Sequence, residues 1–114
     1  MKKVSSKQRI ENKKLNVIYE QIAQDRGHWC TGCGRSDVPL SHSHIIPRSR
    51  RKDLVLDPNN ITYHCLGSAD RKGCHQLWEG SISQKMKLLD YHVNLDYILD
   101  VDTEYYYLLT ELSS

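Results

Sequence analysis

The sequence predicts a small α+β domain built around a metal. Three observations carry this. Leu15, Ile18 and Ile22 recur at three- and four-residue spacing, the mark of one helical face. Residues 40–46 alternate in the manner of a strand. Four cysteines, Cys30, Cys33, Cys65 and Cys74, fall in two pairs around that strand. At 114 residues the chain holds one domain. A chain of this size buries only about two-thirds of its unfolded surface, so a metal staple would help it fold.

The elements follow in order. Residues 7–26 read as a helix, and Gly27 after Arg26 suits its C-cap. From Trp29 the texture turns to Gly, Cys and Ser, as a metal knuckle requires. Leu40–Ile46 reads as a strand that Pro47 ends. Residues 48–60 are polar and basic, with Asp57-Pro58-Asn59 as a turn signal. Ile61–Cys65 is the second strand, and Cys74–Glu79 a short helix. Ser81-Ile82-Ser83-Gln84 fits a capping box, after which Ile82, Met86, Leu89 and Val93 form an expected helical stripe. The remainder, with Leu95, Ile98, Leu108 and Leu109, reads as one or two short helices, with Tyr105–Tyr107 alternatively extended. The chain thus divides into a basic N-terminal helix (1–27), a knuckle and core (28–80) and an acidic helical region (81–114).

The net charge of +2 hides an asymmetry. Lys2, Lys3, Lys7, Arg9, Lys13 and Lys14 crowd the start, and Arg48, Arg50, Arg51 and Lys52 form a second cluster. After Lys87 there is no Lys or Arg, whereas Asp90, Asp96, Asp100, Asp102, Glu104 and Glu111 follow. Basic segments beside a metal site point to a polyanion, most simply nucleic acid; a solvated surface with an acidic tail is the plainer alternative. The chain shows no apolar run of signal or membrane length. A cytoplasmic location is therefore expected, with no membrane partner. In a reducing compartment four cysteines favour metal over disulfides.

Cys30-Thr-Gly-Cys33 can present two thiolates to one tetrahedral Zn²⁺. Cys65 and Cys74 are separated by eight residues, a wider gap than usual. Their insert is bracketed by Gly67 and Gly73, and loop closure costs grow only slowly with length, so its ends can still converge. Four thiolates leave no open coordination position, which makes this zinc structural. Its contribution to folding is expected to be about 10 kcal/mol or more. A thioredoxin-type redox pair would need a βαβ context, which is absent.

The series Cys-x-x-Cys, then His44-Ile45-Ile46-Pro47-Arg48-Ser49, then Asn59-Asn60-Ile61, then Cys65 and Cys74-His75 resembles the HNH endonucleases of the ββα-metal (His-Me finger) superfamily. The resemblance covers roughly residues 28–80 and extends to small phage-encoded HNH proteins, including recombination-associated ones. It implies a ββα-metal core and a metal-dependent DNA endonuclease in a bacterial or phage-infected cell. By position, His44 is the implied general base, Asn60 the residue that fixes the loop, and His75 a catalytic-metal ligand. The implied cofactors are the structural Zn²⁺ and one divalent cation, Mg²⁺, Mn²⁺, Ni²⁺ or Zn²⁺. Arg48, Arg50, Arg51 and Lys52 follow the base directly and are candidates for holding phosphates.

Two positions depart from the family pattern. Ser43 stands where Asp or His commonly serves as a second ligand; His42, on the same face of a strand as His44, is the candidate replacement. Glu79 stands one helical turn after His75, where His or Asn is frequent, and a carboxylate suits Mg²⁺ or Mn²⁺. His64 is expected to line the knuckle, His28 and His92 to lie outside the site, and Trp78 to pack in the core. The alternatives to an enzyme are a non-catalytic zinc module that binds nucleic acid, and an accessory protein for recombination or packaging. A homodimer or a phage protein partner would suit either.

Overall fold

The computed structural model describes residues 6–68 and 71–111. Lys2 and Lys3 of the basic N-terminal segment lie outside the described residues. The order of elements is α1 (Ser6–Arg26), β1 (Leu40–His44), β2 (Ile61–Cys65), α2 (Cys74–Glu79), α3 (Ile82–Lys85), α4 (Tyr91–Val101) and α5 (Thr103–Glu111). Single 3-10 turns at Lys52–Leu54 and Pro58–Asn60 precede β2. The fold is α+β, with five helices around one antiparallel hairpin among the described residues. No helix among the described residues is long and apolar enough to cross a membrane.

The hairpin has two working faces because side chains alternate along its strands. Its register pairs Leu40 with Cys65, His42 with Tyr63 and His44 with Ile61. On the α1 side, Leu15 and Ile22 pack with Val55, Ile61 and Tyr63. On the opposite side lie Ser43, Thr62 and His64, which meet α2 and the start of α4. The larger apolar cluster sits there, with Ile46, Trp78, Leu88, Tyr91, Leu95 and Ile98 buried together.

Local chemistry fixes α1. Gly27 adopts φ +74°, the left-handed conformation that ends a helix without a Cβ clash. Arg26 reaches across to donate to the carbonyls of Ile61 (2.8 Å) and Pro58 (3.0 Å), so the helix end is pinned to the start of β2.

Strand β1 stops two residues earlier than the alternation suggests. Ile45 N still donates to Asn60 O (2.7 Å), but Ile46 N donates instead to the Asn60 side chain (2.8 Å). The side-chain amide takes the place of a partner strand and turns the chain out of the ladder.

Of the stripe Ile82, Met86, Leu89 and Val93, only Ile82 packs against the core. Met86, Leu89 and Val93 are 57, 76 and 68% exposed. Leu88, Tyr91, Leu95 and Ile98 are buried in their place. The reason is a break in the helix. Helix α3 ends at Lys85, Leu89 N donates to Gly32 O (2.8 Å), and Asp90 is drawn inward to His64 and Thr31. That anchor resets the helical phase before α4 begins. The capping box at Ser81 does form its reciprocal half, with Ser81 N donating to Gln84 Oε1 (3.2 Å). Tyr105–Tyr107 are helical, within α5.

Asp102 joins the basic loop to the acidic C-terminal region. It accepts from Arg50 Nε (3.2 Å), lies 3.4 Å from Arg51 Nη1, and accepts from Tyr105 N (3.1 Å) at the head of α5. It is thus an N-cap and an ion-pair hub at once. Asp102→Ala is expected to lower stability by about 1–2 kcal/mol through the lost cap alone, with a further loss from the loop. Asp102→Asn should keep the cap and lose only the charge. Urea denaturation of both variants separates the two contributions; equal stability of the Ala variant and wild type would refute the hub.

Candidate functional site

The first site is the cysteine cluster. The knuckle closes on itself, with Cys30 N donating to Arg35 O (2.8 Å) and Gly34 N to Cys30 O (2.7 Å). Gly34 sits at φ +82°, which a side chain would strain. Cys65 ends β2 and Cys74 opens α2. The insert between them folds back through a Ser68–Arg71 bridge, so its ends do converge. Gly73 makes that closure possible: a Cβ there would lie 2.3 Å from Cys65 O.

The four Sγ atoms all lie within 4.8 Å of one another. A tetrahedral Zn–S length of about 2.3 Å requires S···S edges of about 3.8 Å, and Cys33 and Cys65 stand at 3.8 Å. Backbone amides of Cys65 and Cys74 donate to the sulfurs of Cys30 (3.2 Å) and Cys65 (3.3 Å). Burial pushes the Cys30 and Cys74 thiols up. Burial also opposes ionisation at Cys65, but hydrogen bonds from Cys74 and the neighbouring thiols outweigh it and hold Cys65 low. The donor set fits a metal ion such as zinc, with no disulfide among the four. They are the only group of three or more metal-ligating side chains of this kind among the described residues.

The second site is a cavity of about 450 Å³ that wraps the free edge of β1. His42, His44, Arg48, His75 and Glu79 line it, together with Ser49, Trp78, Lys85 and Tyr105. His44 Nε2 lies 3.0 Å from Val55 O. A carbonyl can only accept, so Nε2 carries the proton and Nδ1 keeps the lone pair. The loop that supplies Val55 is held by Asn60, which is fully buried. Asn60 Nδ2 donates to Ile46 O and to Leu54 O, both at 3.1 Å, while Oδ1 accepts from Ile46 N. One side chain thereby links both ends of the segment that follows His44.

His75 is the second residue of α2, immediately after a cluster cysteine. Its Nδ1 meets Ser43 Oγ at 2.7 Å, and its Nε2 pairs with Glu79 Oε1 at 2.8 Å. Ser43 is buried and aligns the imidazole. Trp78 Nε1 donates to Ile45 O (3.1 Å), which docks the same helix on the end of β1. His42 lines the cavity but stacks on Tyr19, with ring centroids 3.7 Å apart. Burial, then the nearby His28 and His44, lower its pKa, so the ring is held neutral. His42, His75 and Glu79 do not converge as a ready-made triad of ligands.

The four cations of the basic loop divide into two pairs. Arg50 and Arg51 are committed to Asp102, and Arg51 also to Asp53 (2.7 Å). Arg48 pairs with Glu11 (2.7 Å) yet its side chain stays 45% exposed, and Lys52 is exposed.

Two features carry little sequence signal. Lys85 is buried, donates to Gly80 O (2.7 Å) and stands 5.3 Å over the Trp78 ring, so it brings a cation to the cavity wall. His64 is fully buried, and its Nε2 donates to Asp90 Oδ2 (2.9 Å), to which Thr31 Oγ1 also donates (2.5 Å). Both partners of that carboxylate are distant in sequence, so spacing could not have found the trio. His28 and His92 lie outside the cavity, as expected.

Comparison with protein-family models, with curated proteins and with solved structures finds no match for this chain.

Burial opposes ionisation of Asp90, but hydrogen bonds from His64 and Thr31 outweigh it and hold the carboxyl below its usual range. Stability from this group is present above the unfolded carboxylate value and fades as pH falls through the depressed one. Asp90→Ala would leave the buried Nε2 of His64 without an acceptor, at a cost of about 1–3 kcal/mol, while Thr31 Oγ1 keeps Tyr63 O (3.1 Å) as its acceptor. The expected result is a lower urea midpoint for the variant and a shallower loss of stability on acidification. A variant with the wild-type pH dependence would show that Asp90 is not the titrating group.

Proposed function

We propose that this chain is a metal-dependent DNA endonuclease of the HNH, ββα-metal type. The observation that carries the reading is the gathering of His44, His75, Glu79, Arg48 and Lys85 around one cavity, with Asn60 bracing the loop beside it. These are the residue types that phosphodiester hydrolysis needs, and three of them are those the sequence resemblance implies.

The roles follow from the contacts. The free Nδ1 of His44 accepts the proton of the attacking water, since the Val55 carbonyl holds the other nitrogen as donor. The water oxygen bonds to phosphorus as the bond to the leaving 3′ oxygen breaks. His75 and Glu79 bring a ring nitrogen and a carboxylate oxygen within 2.8 Å, a pair able to hold a divalent cation. Substrate phosphate and water would complete such a site, as is usual for Mg²⁺. A bound cation supplies stabilisation of the developing negative charge and of the leaving oxygen. Arg48 and Lys85 add fixed positive charge on the cavity wall. The four cysteines take the structural zinc.

A second reading is a zinc-stabilised module that binds DNA without cutting it. Ser43 favours it, because the position that commonly supplies a ligand here is a buried hydroxyl turned to His75.

Nicking of supercoiled plasmid with Mg²⁺, Mn²⁺ or Ni²⁺ decides between them. The zinc-loaded wild type is expected to nick, and a folded His44→Ala to be slower by about 10²–10⁴-fold. Equal rates would remove His44 as the base. DNA retention with no nicking under any cation would leave the binding module.

A further inference from the structure

A second cleft, of about 250 Å³, opens beside the first. The first turns of α1 supply one wall, with Lys7, Gln8 and Glu11; Arg48, Lys52 and Val55 supply the other. Arg48 lines both clefts, so they share a guanidinium. Among the described residues the lining holds three cations against one acid, and Lys7 and Lys52 are exposed. Two segments far apart in sequence thus bring their positive charge to one place.

The chemistry of the lining is selective. Among the described residues no aromatic ring lines this cleft, so they offer a nucleobase nothing to stack on. Its occupant at present is a carboxylate, Glu11, held on Arg48 at 2.7 Å. The contact is an ion pair, and a guanidinium that pairs with a carboxylate can equally pair with, and donate to, a phosphate. Arg50 and Arg51 are turned away to Asp102, which leaves Arg48, Lys7 and Lys52 as the cations that line it.

We propose that this cleft is a phosphodiester subsite for the DNA backbone. A strand runs from the histidine cavity across Arg48 to Lys7 and Lys52, and its phosphate competes with Glu11 for Arg48. The inference rests on the DNA reading of the main site for its substrate class. It makes the first turns of α1 part of the substrate platform, and it makes binding there independent of base sequence.

The test is fluorescence anisotropy of the zinc-loaded full chain with a labelled duplex of about 20 base pairs, without added divalent cation, across a salt series. Lys7→Ala and Lys52→Ala are each expected to weaken binding and to lower the slope of log K against log salt by about one unit. Glu11→Gln should bind several-fold more tightly, because it frees Arg48. Lys87→Ala, outside the cleft, should keep the wild-type slope.

Wild-type slopes in Lys7→Ala and Lys52→Ala would overturn the subsite, as would an equal loss in Lys87→Ala, which would mean general charge. Either result, alongside tight wild-type binding and plasmid nicking, leaves the endonuclease reading standing. Failure of the wild type to retain duplex at low salt would overturn both. The expected slopes in a protein that does not nick would uphold the subsite while the endonuclease reading fails.

Discussion

The convergence of four sulfurs is the constraint on which the rest of this molecule depends. They come from the knuckle, the end of β2 and the first residue of α2. Fixing Cys74 beside Cys65 leaves the next residue, His75, little choice of position. It falls against Ser43 on the hairpin, with Glu79 one turn further on. Trp78 of α2 is buried in the larger apolar cluster and holds that helix to the end of β1 by one indole hydrogen bond. A six-residue helix has little stability of its own, since helix nucleation is costly and short helices are marginal in water. A cation shared by its first residue and the hairpin would supply what its length does not.

The charge pattern is organised by the same architecture. The acidic C-terminal region does not stand apart from the basic loop: Asp102 gathers Arg50 and Arg51 and caps α5 with the same carboxylate. This neutralises the inner half of the cationic run and orders the loop behind His44. The outer half, Arg48 and Lys52, faces the clefts with Lys7 and, on the cavity wall, Lys85. Under the proposed reading, one set of arginines shapes the site and another meets the substrate, although the sequence writes them as a single cluster.

Local periodicity made much of the fold legible. Helix α1, both strands and α2 follow from apolar spacing, alternation and glycine positions, because each depends on neighbours close in sequence. The resemblance implied a loop-fixing role for Asn60, and its side chain makes three hydrogen bonds across the Ile46–Leu54 segment. What sequence could not show depends on partners far along the chain. Met86, Leu89 and Val93 have the spacing of a buried stripe, but the pull of His64 and Thr31 on Asp90 turns α4 to a different face. Lys85 looks like a surface lysine until Gly80 O and the Trp78 ring are placed around it. Arg50 and Arg51 look like phosphate ligands until Asp102 is placed beside them.

The central claim is that one metal held by Cys30, Cys33, Cys65 and Cys74 organises this chain. The most direct measurement is metal stoichiometry with cobalt substitution, followed through a chelator titration by near-UV circular dichroism. The expected result is one equivalent of zinc per chain, a tetrahedral four-thiolate spectrum with cobalt, and loss of tertiary signal as the metal is withdrawn. A chain that keeps its full tertiary signal with four free, titratable thiols and no metal would contradict it.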